Sequence, residues 1–304
     1  MQKLNAMGFL IASVVVATAQ DMPADYGEVL KTLGKQGDYK SGVFKVNIPR
    51  SDLKVTVDGI ATPTPFGFGG WLAMSEGAGG NDVMMGDLVL LEDEVNPVMS
   101  ELLSNGLEVT ALHNHFFFEN PRLFYMHVHG HGKAIDLARM VKPALDLIGK
   151  GTPQHQSSVS GPWSNVSGGQ IDTASIAKLV GHEGEQNGQV YKITIGRDDI
   201  NLKEMAAPIN ARMGLNTWAA FFGSDANAEI AGDVAMLANE VTPVLKALRG
   251  NGLKVVAIHN HMIGGATMVY FLHYWGTGPV EKLANGFKSA LNELGKAGAS
   301  HSAH

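Results

Sequence analysis

Five of the chain's twelve histidines lie between Leu107 and Gly132. His113 and His115 sit in an A-L-H-N-H block, and His127, His129 and His131 in M-H-V-H-G-H-G. The segment reads as a β-hairpin that turns near Asn120–Pro121, since Asn-Pro favours a turn. Residues two apart on a strand share a face, so each histidine set points one way. A loop of odd length pairs His115 with His127 and His113 with His129 on a single face, where opposed Cβ atoms are about 4.5–5.5 Å apart. A loop of even length would send the two sets to opposite faces. Four imidazoles this close repel one another when protonated and can share a metal ion when neutral.

H-x-H on one strand, with a third imidazole arriving across the ladder, suits a divalent ion. Imidazole ligands without thiolate are compatible with Zn, Cu, Ni, Fe or Mn. Three histidines beside an open position make a catalytic type of zinc site. The candidate ligands are His113, His115, His127 and His129, with His259, His261 and His273 in a second block. Glu94, just ahead of a helix, is the candidate general base, and Glu240 is its match. Either carboxylate would equally suit the positive end of a helix dipole, worth about 0.3–1 kcal/mol. Three functions fit these residues. The first is a protein that binds a metal, or a small-molecule ligand through a metal. The second is a metal-dependent hydrolase or oxygenase using the same residues. The third is a module without metal whose two halves pack through their histidine faces. Open coordination beside a deep pocket would favour the second.

The elements that position these residues occur twice. V-F-K-V-N-I-P-R-S-D-L from Val43 matches V-Y-K-I-T-I-G-R-D-D-I from Val190, and Trp71 matches Trp218. G-D-L-V-L-L-E-D-E-V-N-P-V from Gly86 matches G-D-V-A-M-L-A-N-E-V-T-P-V from Gly232. N-G-L-E-V-T-A-L-H-N-H from Asn105 matches N-G-L-K-V-V-A-I-H-N-H from Asn251. Repeats therefore cover residues 20–150 and 170–297, joined by a Ser/Gly/Pro-rich linker, 151–169, and followed by a tail, 298–304. Each repeat reads as helix, three strands, helix, histidine hairpin, helix. The first helix is Tyr26–Leu33 or Asp172–Val180, and the first strand Val43–Ile48 or Val190–Ile195. The middle helix starts near Pro97 or Pro243, where proline suits a first turn. The last helix is Ala134–Ile148 or Val280–Leu294. The fold class is α+β, a tandem duplication of an antiparallel sheet unit with helices packed on one face. The even positions of the hairpin (Leu112, Phe116, Phe118, Phe124, Met126, Val128) make an apolar face for those helices. The histidines then face a pocket, the Gly-rich loop T-P-T-P-F-G-F-G-G, or the other repeat. In the second repeat Trp275 stands in place of His129 and Thr277 in place of His131, so the first repeat is the richer site. Trp71 and Trp218 read as core residues, and Arg50–Asp52 and Arg197–Asp199 as local ion pairs.

Hydrophobic residues make up 45% of the 304 and charged residues 17%, enough for a packed core. Lys3, an apolar run Met7–Ala17 and the A-x-A pattern Ala17-Thr18-Ala19 read as a signal peptide over residues 1–19. The run is shorter than the roughly 20 residues a bilayer span requires. The mature chain is expected to be exported, to the periplasm or the exterior, and soluble. The absence of cysteine excludes disulfides, thiolate zinc sites and lipid attachment through an N-terminal cysteine. A net charge of −6 offers no basic face for nucleic acid.

The twin N-G-L-x-V-x-A-x-H-N-H segments, the duplicated layout and the expected signal peptide resemble the LppY/LpqO family, exported bacterial proteins that carry a domain of unknown function. Some members look like lipoproteins, and this chain lacks the cysteine that anchoring requires. The resemblance implies an exported location and no particular activity.

Overall fold

The computed structural model describes residues 21–150, 170–263 and 267–296. The expected signal peptide, linker and tail lie outside the described residues. The first repeat runs α1 (Ala24–Leu33), β1 (Gly37–Lys40), β2 (Val43–Pro49), β3 (Val55–Val57), β4 (Ile60–Thr62), β5 (Gly69–Glu76), β6 (Asp82–Leu91), α2 (Glu92–Ser104), β7 (Glu108–His113), β8 (Glu119–Asn120), β9 (Leu123–Gly132) and α3 (Ala134–Leu145). The second runs α4 (Thr173–Val180), β10 (Glu185–Asn187), β11 (Val190–Gly196), β12 (Leu202–Glu204), β13 (Ala207–Ile209), β14 (Asn216–Gly223), β15 (Ala228–Leu237), α5 (Ala238–Gly250), β16 (Lys254–His259), β17 (Val269–Gly278) and α6 (Val280–Leu291). One six-stranded sheet has the order β1-β2-β5-β6-β9-β7 and the other β10-β11-β14-β15-β17-β16. The fold is a duplicated antiparallel α+β unit.

The central strands explain how the layers stack. β6 is buried at every position and β15 at all but its last. A strand that meets water on one face alternates, whereas one covered on both faces reads as a nearly continuous apolar run. On one face Met84, Leu88 and Leu90 join a core with residues of α1, α2 and α3, and Ile230, Val234 and Met236 do the same in the second repeat. On the other face Val89 and Leu91 pack with Ala231 and Trp275, and Val83 and Met85 with Ala235 and Phe271. The order of layers is therefore helix, sheet, sheet, helix, with the two sheets face to face.

Two hairpins clasp this interface. Val55 and Val57 of β3 reach the cluster around Trp275 and Phe222, while Leu202 and Ile209 of β12–β13 reach Val83 and Met85. The N–H of Ala78 donates to the Met205 carbonyl at 2.7 Å, tying the second hairpin to the first repeat. These hairpins fall in the segment expected to be a Gly/Pro-rich loop, and β1 and β10 were also not expected. The middle helix begins at Glu92, ahead of Pro97, which lies inside it. Glu94 accepts from the Leu91 N–H at 2.8 Å, half of a capping box, and Glu240 accepts from Leu237 N–H at 2.7 Å. That carboxylate, not the proline, fixes the start.

Candidate metal centre

The expected hairpin is looser than its sequence suggests. β7 ends at His113 and β9 begins at Leu123, and β8 between them pairs with β3 instead. His113 lies opposite Tyr125, and Ala111 opposite His127, so the expected His113–His129 and His115–His127 pairings do not form. The histidines nevertheless share a face, because of a bulge between Val109 and Ala111. Before it Glu108 opposes His129; after it the count shifts by one residue and His113 swings to the side of His127. A one-residue shift moves every later side chain to the other face. The same bulge lies between Val255 and Ala257 of β16 and aims His259 in the same way. Of the apolar even face, Met126 and Val128 enter the helix-side core and Phe116 joins Phe66 and Phe68 in the core between repeats, while Leu112 and Phe118 are exposed.

The histidine face of each sheet meets that of the other. Six imidazoles converge: His113, His115 and His127 from the first repeat, and His259, His261 and His273 from the second. The His113 and His259 rings stack with centroids 3.8 Å apart, His115 and His273 at 3.7 Å, and His127 and His261 meet edge-on at 4.0 Å. The Nε2 atoms of His113 and His273 are 3.2 Å apart. Each H-x-H pair thus finds its third imidazole on the other repeat, not on its own hairpin. Thr110, the extra residue of the first bulge, crosses the boundary and donates its hydroxyl to the His261 carbonyl at 2.7 Å. Thr110→Val is expected to lower stability by about 0.5–1.5 kcal/mol, read from urea unfolding of the metal-free chain.

Sequence reasoning missed two carboxyl groups at this centre. Asp87 lies between Trp71 and His127 across the first sheet, and Asp233 between Trp218 and His273 across the second. Asp87 Oδ1 is 3.8 Å from His127 Nε2, and Asp233 Oδ2 is 4.0 Å from His273 Nε2. An aspartate at the same place in two matched apolar runs, G-D-L-V-L-L and G-D-V-A-M-L, was the available signal. Lys45 and Lys192, also matched, lie 4.5 Å and 3.9 Å over the rings of Trp71 and Trp218.

Burial sets the charge state of the group. It holds all six imidazoles below their usual range, His259 at about 4, and repulsion from neighbouring imidazoles adds to it at every one except His259. Neutral imidazole is the form that binds metals. Burial also raises Asp87 well above the carboxylate range, with Asp233 repelling it in addition, and raises Asp233 to about 7. The contact between Asp87 and His127 therefore joins neutral groups, while Asp233 beside His273 changes protonation near neutral pH. Many of these atoms lack a partner among the described residues. They are His113 Nδ1, both nitrogens of His115, the Nε2 atoms of His127 and His259, His273 Nδ1 and Asp87 Oδ1. A buried unsatisfied polar group costs about 1–3 kcal/mol. His127 Nδ1 and His259 Nδ1 both lie near the Asn260 carbonyl, at 3.3 Å and 3.4 Å, which leaves each Nε2 free to accept. A carbonyl that fixes the tautomer in this way is the usual outer support of a metal-bound histidine.

Two expected site residues stand elsewhere. His129 does not join the cluster. Its Nε2 is 2.8 Å from Glu204 of β12 and its Nδ1 3.4 Å from Glu108, and those carboxylates raise its pKa against the opposing effect of burial. Its counterpart Trp275 carries Lys254 over its ring at 4.3 Å, so a cation–π contact replaces an ion pair in the second repeat. Glu204→Ala is expected to lower the His129 pKa, followed by NMR titration of its imidazole. Glu94, the expected base, faces Arg50. Arg50 Nη1 donates to Glu94 Oε2 at 2.6 Å, and the Gly149 N–H donates to Oε1 at 2.7 Å. Arg197 and Glu240 repeat the pair at 2.9 Å. The local pairs Arg50–Asp52 and Arg197–Asp199 are also present, at 2.9 Å and 2.8 Å. A cavity of 420 Å³ is lined by residues such as Ile171, Thr173, Tyr191 and Phe222 and by none of the histidines. Among the described residues no helix is long and apolar enough to cross a membrane.

The family described as Domain of Unknown Function (DUF1259) matches residues 27–147 and again 174–293. No curated protein matches the chain. Among solved structures, the trimeric bacterial microcompartment shell protein PduB is similar at 12% identity and a TM-score of 0.22, over 86% of this chain and 91% of that one. The double-ringed trimeric shell protein MSM0271 of the RMM microcompartment is similar at 12% and 0.18, over 72% and 85%. EtuB from Clostridium kluyveri gives 9% and 0.21, over 84% and 90%. Likenesses this weak carry no argument about fold or function.

Proposed function

The chain belongs to the family described as Domain of Unknown Function (DUF1259), a membership that brings no activity with it, and from that premise we propose that the protein binds a divalent transition metal at the histidine interface between its two repeats. The observation that supports this most is the buried set of neutral imidazoles with unpartnered ring nitrogens. A bound dication would satisfy several of those nitrogens at once. It would also hold nearby carboxyls ionised, reversing the effect of burial on Asp87 and Asp233. An all-nitrogen set suits Zn, Cu, Ni or Fe(II). We place the protein with the exported LppY/LpqO proteins that its twin segments resemble, outside the cytoplasm.

A second reading is that the histidines serve only to join the repeats. It is favoured by the 3.2 Å contact of His113 with His273 and the ring stacking across the boundary. Elemental analysis of tag-free protein separates the two. Stoichiometric metal whose content falls in His113→Ala/His115→Ala, with circular dichroism unchanged, supports the metal centre. No metal in the wild type, or the same content in the folded double variant, leaves the structural reading.

A further inference from the structure

The metal-binding geometry of the cluster divides into two triads that share no residue. His113, His115 and His273 bring one ligand atom each within 4.8 Å of one another, and so do Asp233, His259 and His261. The first triad spans both repeats; the second lies wholly in the second repeat. An ion held by such a set would sit roughly 2.0–2.1 Å from each imidazole nitrogen. A third grouping, His113, His127 and His259, overlaps both and competes with them.

The triads differ in chemistry for a structural reason. The H-x-H of the first repeat leans toward His273, with His113 Nε2 3.2 Å from it and the His115 ring stacked on it. Those two histidines are thereby turned across the boundary, and no candidate ligand set among the described residues includes Asp87. In the second repeat His259 and His261 keep their own carboxyl group. Asp233 Oδ1 accepts from the Leu272 N–H at 3.1 Å, which orients the group and leaves Oδ2 for an ion. His259 Nε2 is buried and unpartnered, with its Nδ1 turned to the Asn260 carbonyl. Two imidazoles and one carboxylate form the facial set used by non-haem Fe(II) sites, whereas three imidazoles suit Zn or Cu.

We propose that the interface holds two non-equivalent ions, one on His113, His115 and His273, and one of the ferrous or manganous class on Asp233, His259 and His261. This rests on the metal-centre reading and adds stoichiometry and ligand class to it. The test loads chelator-stripped, tag-free full-length chain with Co(II) and measures bound metal and visible absorption after desalting. The wild type is expected to hold two ions per chain. Asp233→Asn should hold one and lose one of two absorption components; His115→Ala should hold one and lose the other. His261→Ala serves as a second probe of the carboxylate site if Asp233→Asn fails to give a folded circular dichroism spectrum. One ion in the wild type overturns the two-site proposal and leaves the metal centre standing. Two ions in folded Asp233→Asn also overturn it. No bound ion in the wild type overturns both.

Discussion

Replacing Glu94 by alanine is expected to cost about 3–5 kcal/mol of stability and to leave the metal content of the folded chain unchanged. Arg50 and Glu94 side chains are each only 2% exposed, and the pair is locked at 2.6 Å. Removing the carboxylate strands a guanidinium that cannot deprotonate, with only Asp52 at the surface and the Val89 carbonyl left to it. It also frees the N–H groups of Leu91 and Gly149 that Glu94 satisfies. The double variant Arg50→Met/Glu94→Leu should recover most of the loss, because no charge then stays buried. Urea unfolding of the three proteins reads this directly. A folded Glu94→Ala chain of wild-type stability that has lost its metal would return Glu94 to the centre.

The second large effect is acid unfolding of the metal-free protein. The six cluster imidazoles have folded pKa values below the roughly 6.5 of an unfolded chain. Below pH 6.5 the unfolded chain binds protons that the folded one refuses, so each imidazole removes stability as pH falls, at about 1.4 kcal/mol per pH unit. The loss through His259 continues down to about pH 4. Buried carboxyls act in the opposite direction. Asp82, Asp87, Asp233, Glu119 and Glu229 have raised folded values, so in the same window the folded chain holds protons the unfolded one has released. Five such groups against six imidazoles leave a net uptake of about one proton, or roughly 1.4 kcal/mol per pH unit. Urea midpoints between pH 6.5 and 4.5 should fall accordingly. Asp87→Asn, which removes one opposing carboxyl, should steepen the fall. A flat or rising profile would mean that the imidazoles are not held neutral.

The sequence made some of this legible and hid the rest for physical reasons. Duplication and element order were readable because matched segments repeat residue by residue. That the histidines share a face was also readable, although by a different route: the expected register was wrong, and a bulge supplies the parity. A bulge is a single extra residue such as Thr110, and alternation alone does not announce it. Which surface the histidine face meets was left open, since a strand pattern tells which residues travel together and not what covers them. Hence the exchange of third imidazoles, His273 to the first H-x-H and His127 to the second, was out of reach. Asp87 and Asp233 were passed over because they sit inside apolar runs that read as strand. Glu94 was taken for a base because its partner Arg50 is distant in the chain, while the nearer Asp52 was the visible one.

The most direct test of the metal centre is a crystal of tag-free protein grown with Zn(II) present and measured on both sides of the zinc absorption edge. An anomalous peak among His113, His115 and His273, at the boundary of the two repeats, is the expected result. Ordered imidazoles at that boundary with no peak, or a peak only at surface histidines such as His131 or His182, would contradict it.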